Sequence, residues 1–344
     1  MILTKVEVDK MNNFFQQQLY HNYQINQEKK MIRKESNKLS FMLFIAIIFM
    51  NIAATVLFMF ISFFSKDTSL ITTGIQNSYS SYDYIINGLG EFAGFFVVPF
   101  VFCLIFRYKF SEVIPVNSNK KYNPLLLVLG GYAICTVANI AVSLLNNNLS
   151  IFGLTNTTGV EFTTKTPLDQ VIYFICIAII PALTEEFIFR GVILNSFRKF
   201  GDGFSILISS LLFGFMHGNF VQIPFAFIVG LACGFIVVKT NSIIPAMVLH
   251  LLNNGTSVLI DIVANYVGDN LYSVISSVVI FTLTLLGFIS IVLLVKKGLN
   301  FKFGNKSIVS LGAKDRIVQF FANPGTIILL SFFIIEAFIT LLGF

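Results

Sequence analysis

Charged residues are scarce in this sequence. Asp, Glu, Lys and Arg make up 12% of its 344 residues, which is about half of their share in soluble domains. Hydrophobic residues make up 56%, and the mean hydropathy is +0.81. A chain this apolar cannot stay dissolved as a water-soluble monomer. The composition therefore predicts an all-α, polytopic bundle of membrane helices, and it makes nucleic acid a poor explanation for the net charge of +6.

The sequence also lacks the cysteine patterns of a disulfide framework or a thiolate metal site. It has four cysteines and no CxxC pair. All four lie within apolar runs: Cys103, Cys135, Cys176 and Cys233. We interpret them as small apolar residues of buried helices.

Nine apolar runs approach the length of about 20 residues that a membrane-spanning helix needs. They cover about residues 40–64, 84–106, 124–145, 168–197, 204–217, 222–238, 243–262, 272–295 and 325–344. The fifth run is short, so we expect eight to nine transmembrane helices. Residues 1–38 contain no apolar run, which argues against a signal peptide.

The distribution of basic residues predicts the orientation. With a cytoplasmic N-terminus, the loops on that side hold 20 of the 23 Lys and Arg residues, and the outer loops hold only Lys66 and Lys165. This asymmetry follows the positive-inside rule. We therefore expect a basic cytoplasmic segment at 1–38, a membrane domain at 39–295, a basic cytoplasmic linker at 296–324 and a loosely attached last helix at 325–344.

Ionisable side chains within the predicted spans are costly to insert, at about 2.5–3.5 kcal/mol each, so each requires a reason. Glu185, Glu186 and Arg190 interrupt the fourth run, while His217 and His250 lie in the fifth and seventh. A helix rises about 1.5 Å per residue. Measured from the nearest charge at the cytoplasmic end of each span, Glu185, His217 and His250 therefore lie about 20, 22 and 16 Å deep. Three helices can therefore bring these groups together at one depth.

Helical periodicity predicts how the acidic residues of the fourth run point. Glu186 and Arg190 are four residues apart, which favours an ion pair on one face of the helix. Glu185 is turned from them by about 100°, so it is free to face a cavity. Glu91, in contrast, is assigned to the outer end of its span, where water can reach it.

The same periodicity applies to the seventh run. His250 and Asn254 are four residues apart and share a face, whereas Asn253 is expected to point elsewhere. The candidate catalytic residues are therefore Glu185, His217, His250 and Asn254. The supporting residues are Glu186 and Arg190.

These residue types suit the hydrolysis of an amide or ester. A carboxylate in an apolar site is placed to take a proton from water, so Glu185 can act as a general base. Imidazole and carboxamide N–H groups can stabilise the oxyanion of a tetrahedral intermediate. Alternatively, Glu185, His217 and His250 could bind zinc and activate water through the metal.

Two further functions remain open at this point. A proton-coupled transporter needs only buried acids and histidines along its path. A non-catalytic membrane protein, such as a bacteriocin immunity factor, would act by binding its target. A protein that only binds its target does not require polar groups from three helices at one depth, and a transporter does not need the donor at Asn254.

Three motifs carry a resemblance to a known family. Glu185-Glu186-x-x-x-Arg190, Phe213-x-x-x-His217 and His250-x-x-x-Asn254 follow one another on successive spans. In this order they resemble the signature of the CPBP family, the CAAX proteases and bacteriocin-processing enzymes, also called the Abi family. The resemblance covers about residues 168–262.

The resemblance implies an endopeptidase whose active site lies in a membrane cavity open to the cytoplasm. It implies that Glu185 activates water with His217, that His250 and Asn254 form the oxyanion hole, and that Arg190 holds Glu186 or the helix. The family is named for metalloproteases, and a metal-free glutamate mechanism is also advocated for its members. Zinc therefore stays open as a cofactor.

The resemblance also implies a class of substrate. Eukaryotic members process prenylated CaaX proteins, and many bacterial members are linked to peptide export, bacteriocin immunity or quorum-peptide maturation. The Asn-, Lys- and Ile-rich composition is typical of low-GC bacteria. We therefore expect a multi-pass protease of a bacterial plasma membrane that acts on a hydrophobic peptide or membrane protein.

Overall fold

The computed structural model describes residues 5–64, 78–79, 81–116, 121–151, 161–162, 166–300 and 311–341. Helices make up nearly all of these residues. They are α1 (Lys5–Phe64), α2 (Ser81–Ile105), α3 (Phe110–Val113), α4 (Pro124–Ile151), α5 (Pro167–Phe200), α6 (Asp202–Met216), α7 (Gln222–Thr240), α8 (Ile244–Ala264), α9 (Asp269–Lys296), α10 (Ala313–Phe321) and α11 (Pro324–Leu341). Two short strands, β1 (Ser78–Tyr79) and β2 (Glu161–Phe162), pair in parallel, with Ser78 opposite Glu161 and Tyr79 opposite Phe162.

The predicted bundle of membrane helices is confirmed. Within the described ranges, eight helices are long and apolar enough to cross a membrane, namely α1, α2, α4, α5, α7, α8, α9 and α11. The ninth predicted span is α6, whose 15 residues extend about 22 Å, less than the roughly 30 Å of a hydrocarbon core.

The short helix α6 forms an antiparallel hairpin with α7. A Cβ at Gly230 would lie 2.9 Å from Ser210, and one at Gly234 would lie 3.2 Å from Ile206. From Gly230 to Gly234 along α7, the contact moves back from Ser210 to Ile206 along α6, so the two helices run antiparallel. The two helices are close because glycine has no side chain to separate them. The chain therefore runs along α6, turns at His217 and returns along α7.

Two helices widen into π-helical turns shortly before a proline. In α2 the turn is Ala93–Val97 and precedes Pro99, and in α5 it is Ile175–Ile179 and precedes Pro181. A proline has no N–H to donate and its ring crowds the carbonyl four residues earlier, so a regular α-helix cannot continue unchanged through it. In α5 this distortion lies immediately before the motif that begins at Glu185.

The first helix is continuous from the polar N-terminal segment into the first span. At about 1.5 Å per residue, its 60 residues extend about 90 Å, far beyond the thickness of a bilayer. Ion pairs at its polar end join it to distant parts of the chain. Glu28 contacts Arg316 at 3.5 Å, and Glu35 contacts Lys199 at 2.9 Å.

The last helix is firmly attached, which differs from the expectation of a loose appendage. Thr326 and Ser40 hydrogen-bond through their hydroxyls at 2.9 Å, and the backbone N–H of Gly325 donates to the Asn37 side chain at 2.8 Å. Leu329 of α11 is fully buried. These contacts join α11 to α1, at the opposite end of the sequence, so local sequence patterns cannot predict them.

Candidate active site

The four candidate catalytic residues line one cavity. It has a volume of about 260 Å³ and lies among α2, α5, α6, α7 and α8. Glu185 comes from α5, His217 follows α6, and both His250 and Asn254 come from α8. Residues from three of the predicted spans therefore meet at one cavity.

The supporting pair lies behind the cavity wall. Arg190 Nη1 is 3.0 Å from Glu186 Oε1, and both side chains are fully buried. The predicted ion pair is thus confirmed, although the intervening turn, Phe187–Ile193, is π-helical. The guanidinium carbon of Arg190 also lies 4.2 Å from the ring centroid of Phe213, within cation–π range.

His250 lies between the two glutamates. Its Nδ1 is 3.0 Å from Glu186 Oε1, and its Nε2 is 3.7 Å from Glu185 Oε2. A carboxylate can only accept a hydrogen bond, so we assign the proton of the neutral ring to Nδ1. The Nε2 atom then carries a lone pair, which faces the amide of Asn254.

Asn254 is held by two acceptors. Its Nδ2 lies 3.2 Å from Ile177 O and 3.2 Å from His250 Nε2. Pro181 has no N–H to donate to the carbonyl of Ile177, four residues earlier. The proline in α5 therefore helps to leave an acceptor for this amide of α8.

The expected orientation of Asn253 is wrong. Asn253 also lines the cavity, and its Nδ2 donates to Asn254 Oδ1 at 3.1 Å. Neighbouring residues on a helix diverge by about 100°, but the cavity extends far enough around α8 to include both side chains. The site therefore contains two carboxamides from α8.

His217 is oriented by its own helix. Its Nδ1 lies 2.8 Å from the carbonyl oxygen of Phe213, and its ring lies edge-on to the Phe213 ring with a centroid distance of 5.0 Å. A carbonyl only accepts, so Nδ1 carries the proton and Nε2 is an acceptor. Gly218 follows with φ +57°, a left-handed conformation that glycine adopts without strain.

The structure adds a carboxylate that the motifs do not contain. Glu91 of α2 lines the cavity, and Thr184 Oγ1 donates to its Oε1 at 2.6 Å. Its predicted position near the outer end of a span is wrong, since residue 91 lies close to the middle of Ser81–Ile105. A charge in the centre of an apolar helix was the available signal, but the sequence does not say which helices flank α2.

The side chains do not fit the zinc site that the sequence left open. In the described part of the chain, no group of three or more His, Cys, Asp or Glu is arranged to hold a metal ion. Of the three suggested ligands, only Glu185 and His250 contact each other, and no hydrogen bond or ion pair in the described residues joins His217 to either of them. We therefore derive no step through zinc.

Comparison with known families agrees with the motifs. Residues 167–256 match the Rce1-like family model, described as type II CAAX prenyl endopeptidase Rce1-like. The match confirms the predicted relation to the CAAX proteases and contains all three motifs. Helices before residue 167, including α2 with Glu91, lie outside it. Comparisons with curated proteins and with solved structures found no match.

Proposed function

From the Rce1-like segment and the cavity that its motifs surround, we propose that this protein is an intramembrane endopeptidase. It hydrolyses a peptide bond in a hydrophobic, lipidated or membrane-associated peptide or protein. The observation that carries the proposal is the meeting of Glu185, His217 and His250, from three helices, at one cavity within the membrane domain.

Glu185 acts as the general base. Its carboxylate takes a proton from a water molecule in the cavity, while the Nε2 lone pair of His217 accepts a second hydrogen bond from that water. The water oxygen then attacks the carbonyl carbon of the substrate. A C–O bond forms, and the carbonyl oxygen becomes an oxyanion that needs hydrogen-bond donors.

His250 and Asn254 supply those donors in a linked way. While Nε2 of His250 is unprotonated, it accepts a hydrogen bond from Asn254, so this N–H of Asn254 is not available to the substrate. A proton passed from Glu185 turns Nε2 of His250 into a donor and releases that N–H, while Glu186 at Nδ1 balances the added charge. Both groups can then donate to the oxyanion. When the C–N bond breaks, the proton moves to the leaving amine.

Glu186 and Arg190 act as positioning residues in this scheme. They touch neither the water nor the substrate, but Glu186 fixes the ring of His250 and Arg190 pairs with Glu186. The proposed setting is a bacterial plasma membrane with the cavity open to the cytoplasm. The excess of basic residues in the predicted cytoplasmic loops supports a cytoplasmic N-terminus.

Hydrolysis in water enriched in oxygen-18 tests the proposal. The purified full-length protein is incubated in nanodiscs with a mixture of hydrophobic peptides, and products are analysed by mass spectrometry. We expect internal cleavage in which each new carboxyl terminus carries one heavy oxygen from the attacking water. If no such termini accumulate above the level found with Glu185→Gln, the proposal is overturned.

A further inference from the structure

The cavity contains a second carboxylate that the proposed mechanism does not use. Glu91 shares the cavity with Glu185, and it accepts a hydrogen bond from Thr184, the residue immediately before Glu185. In the described residues no Lys or Arg forms an ion pair with Glu91. A half-buried acid without a counter-ion is costly in a membrane helix, so its presence at the site requires a reason.

The charge of the cavity lining is one-sided. Besides Cys176, its ionisable members are two glutamates and two histidines, and the described lining includes no Lys or Arg. The nearest guanidinium, on Arg190, is fully buried and pairs with Glu186 behind the wall. Two carboxylates at one low-dielectric site repel each other. A cation entering the cavity would relieve this repulsion and gain an ion pair with little competition from water.

We propose that Glu91 is a specificity-determining residue that binds a positive side chain of the substrate, Lys or Arg. This inference rests on the proposed peptidase function and narrows its substrate class to peptides with a basic group close to the cleaved bond. The hydrogen bond from Thr184 holds one carboxylate oxygen and directs the carboxylate beside Glu185. Residue 91 lies outside the Rce1-like segment, so the preference comes from a helix that the matched family model does not include.

A role for Glu91 in proton transfer makes a different prediction. An acid or base in the reaction would be needed for every substrate, whatever its charge. A cation-binding residue changes the relative use of basic and neutral substrates, mainly through binding. The ratio of the two specificity constants therefore separates the two roles.

The experiment compares matched peptides. Hydrophobic peptides, capped at both ends, carry a single Lys at successive positions, and a parallel set carries norleucine at the same positions. Cleavage is measured as kcat/KM with purified full-length wild type, Glu91→Gln, Glu91→Asp and Asn87→Ala. Asn87 lines the same cavity one helical turn before Glu91 and is uncharged, so it is the matched control for a change of shape alone.

We expect wild type to prefer one Lys position over norleucine by about tenfold or more, the value of a hydrogen-bonded charge pair. Glu91→Gln should lose most of this preference through KM, Glu91→Asp should keep part of it, and Asn87→Ala should retain it. Equal use of Lys and norleucine peptides by wild type would overturn the inference and leave the peptidase proposal intact. An unchanged ratio in Glu91→Gln would do the same.

A binding measurement keeps the test independent of turnover. The Lys and norleucine peptides are labelled and titrated against Glu185→Gln and against the double variant Glu91→Gln/Glu185→Gln. We expect the first protein to bind the Lys peptide about tenfold more tightly and the second to bind both alike. If wild type cleaves nothing, the peptidase proposal fails, whereas the binding data still decide whether Glu91 receives a cation.

Discussion

Replacement of Glu185 by Gln is expected to lower kcat by about 10²- to 10⁴-fold, the usual contribution of a positioned general base. The amide has nearly the same shape as the carboxylate, but it cannot take the proton of the attacking water. Its own N–H groups would also face Nε2 of His250, which lies 3.7 Å from the carboxylate of Glu185. Single-turnover cleavage of the best peptide from the Lys series measures the loss.

Asp261→Asn is the matched control for this change. Asp261 is a half-buried acid of α8 that accepts a hydrogen bond from Tyr173 at 3.1 Å, and it is not among the residues that line the cavity. The same chemical substitution in a membrane helix should leave kcat within about twofold. A similar loss in both variants would mean that removal of a membrane-embedded acid, rather than loss of the base, lowers the rate.

Replacement of Arg190 by Met is expected to cost about 3–5 kcal/mol of unfolding free energy, because it leaves a buried charge without its partner. Glu186 is fully buried, and its Oε2 forms no hydrogen bond with any described residue. The double change Glu186→Gln/Arg190→Met removes both charges and should recover much of the loss. Denaturation of the purified proteins in detergent, followed by helix content, measures both changes.

Arg198→Met is the control for this second prediction. Arg198 and Asp202 are also four residues apart and 3.0 Å from each other, but the Arg198 side chain is 20% exposed. Water screens a partly exposed pair, so we expect a loss of about 1 kcal/mol or less. If both arginine variants were equally destabilised, burial would not explain the importance of Arg190.

The ordered motifs made much of the candidate site predictable. Spacing of four residues joined Glu186 to Arg190 and His250 to Asn254, and both pairs are in contact. Such spacing is informative because residues i and i+4 are neighbours on any helix surface, whichever way the helix packs. The prediction that Glu185, His217 and His250 lie at one depth needed only the rise per residue and the positions of charges at the membrane edge.

Other features depend on packing that no local pattern records. Glu91 lies beside the motif because α2 packs against α5, where a Cβ at Gly88 would lie 3.0 Å from Cys176 Sγ. The width of the cavity around α8 decides that Asn253 faces it as well as Asn254. The attachment of α11 to α1 joins the two ends of the sequence. Each of these contacts links helices that are distant in sequence, so helical periodicity alone cannot predict them.

Glu185, we propose, drives proteolysis inside the membrane, and cleavage products formed in cells provide the test. Wild type and Glu185→Gln are expressed at matched levels, and their peptides and new protein termini are compared by mass spectrometry. We predict termini found only with wild type, derived from membrane-associated chains, with a basic residue near the cleaved bond. Indistinguishable sets of termini would contradict the claim and would favour a protein that binds its target without cleaving it.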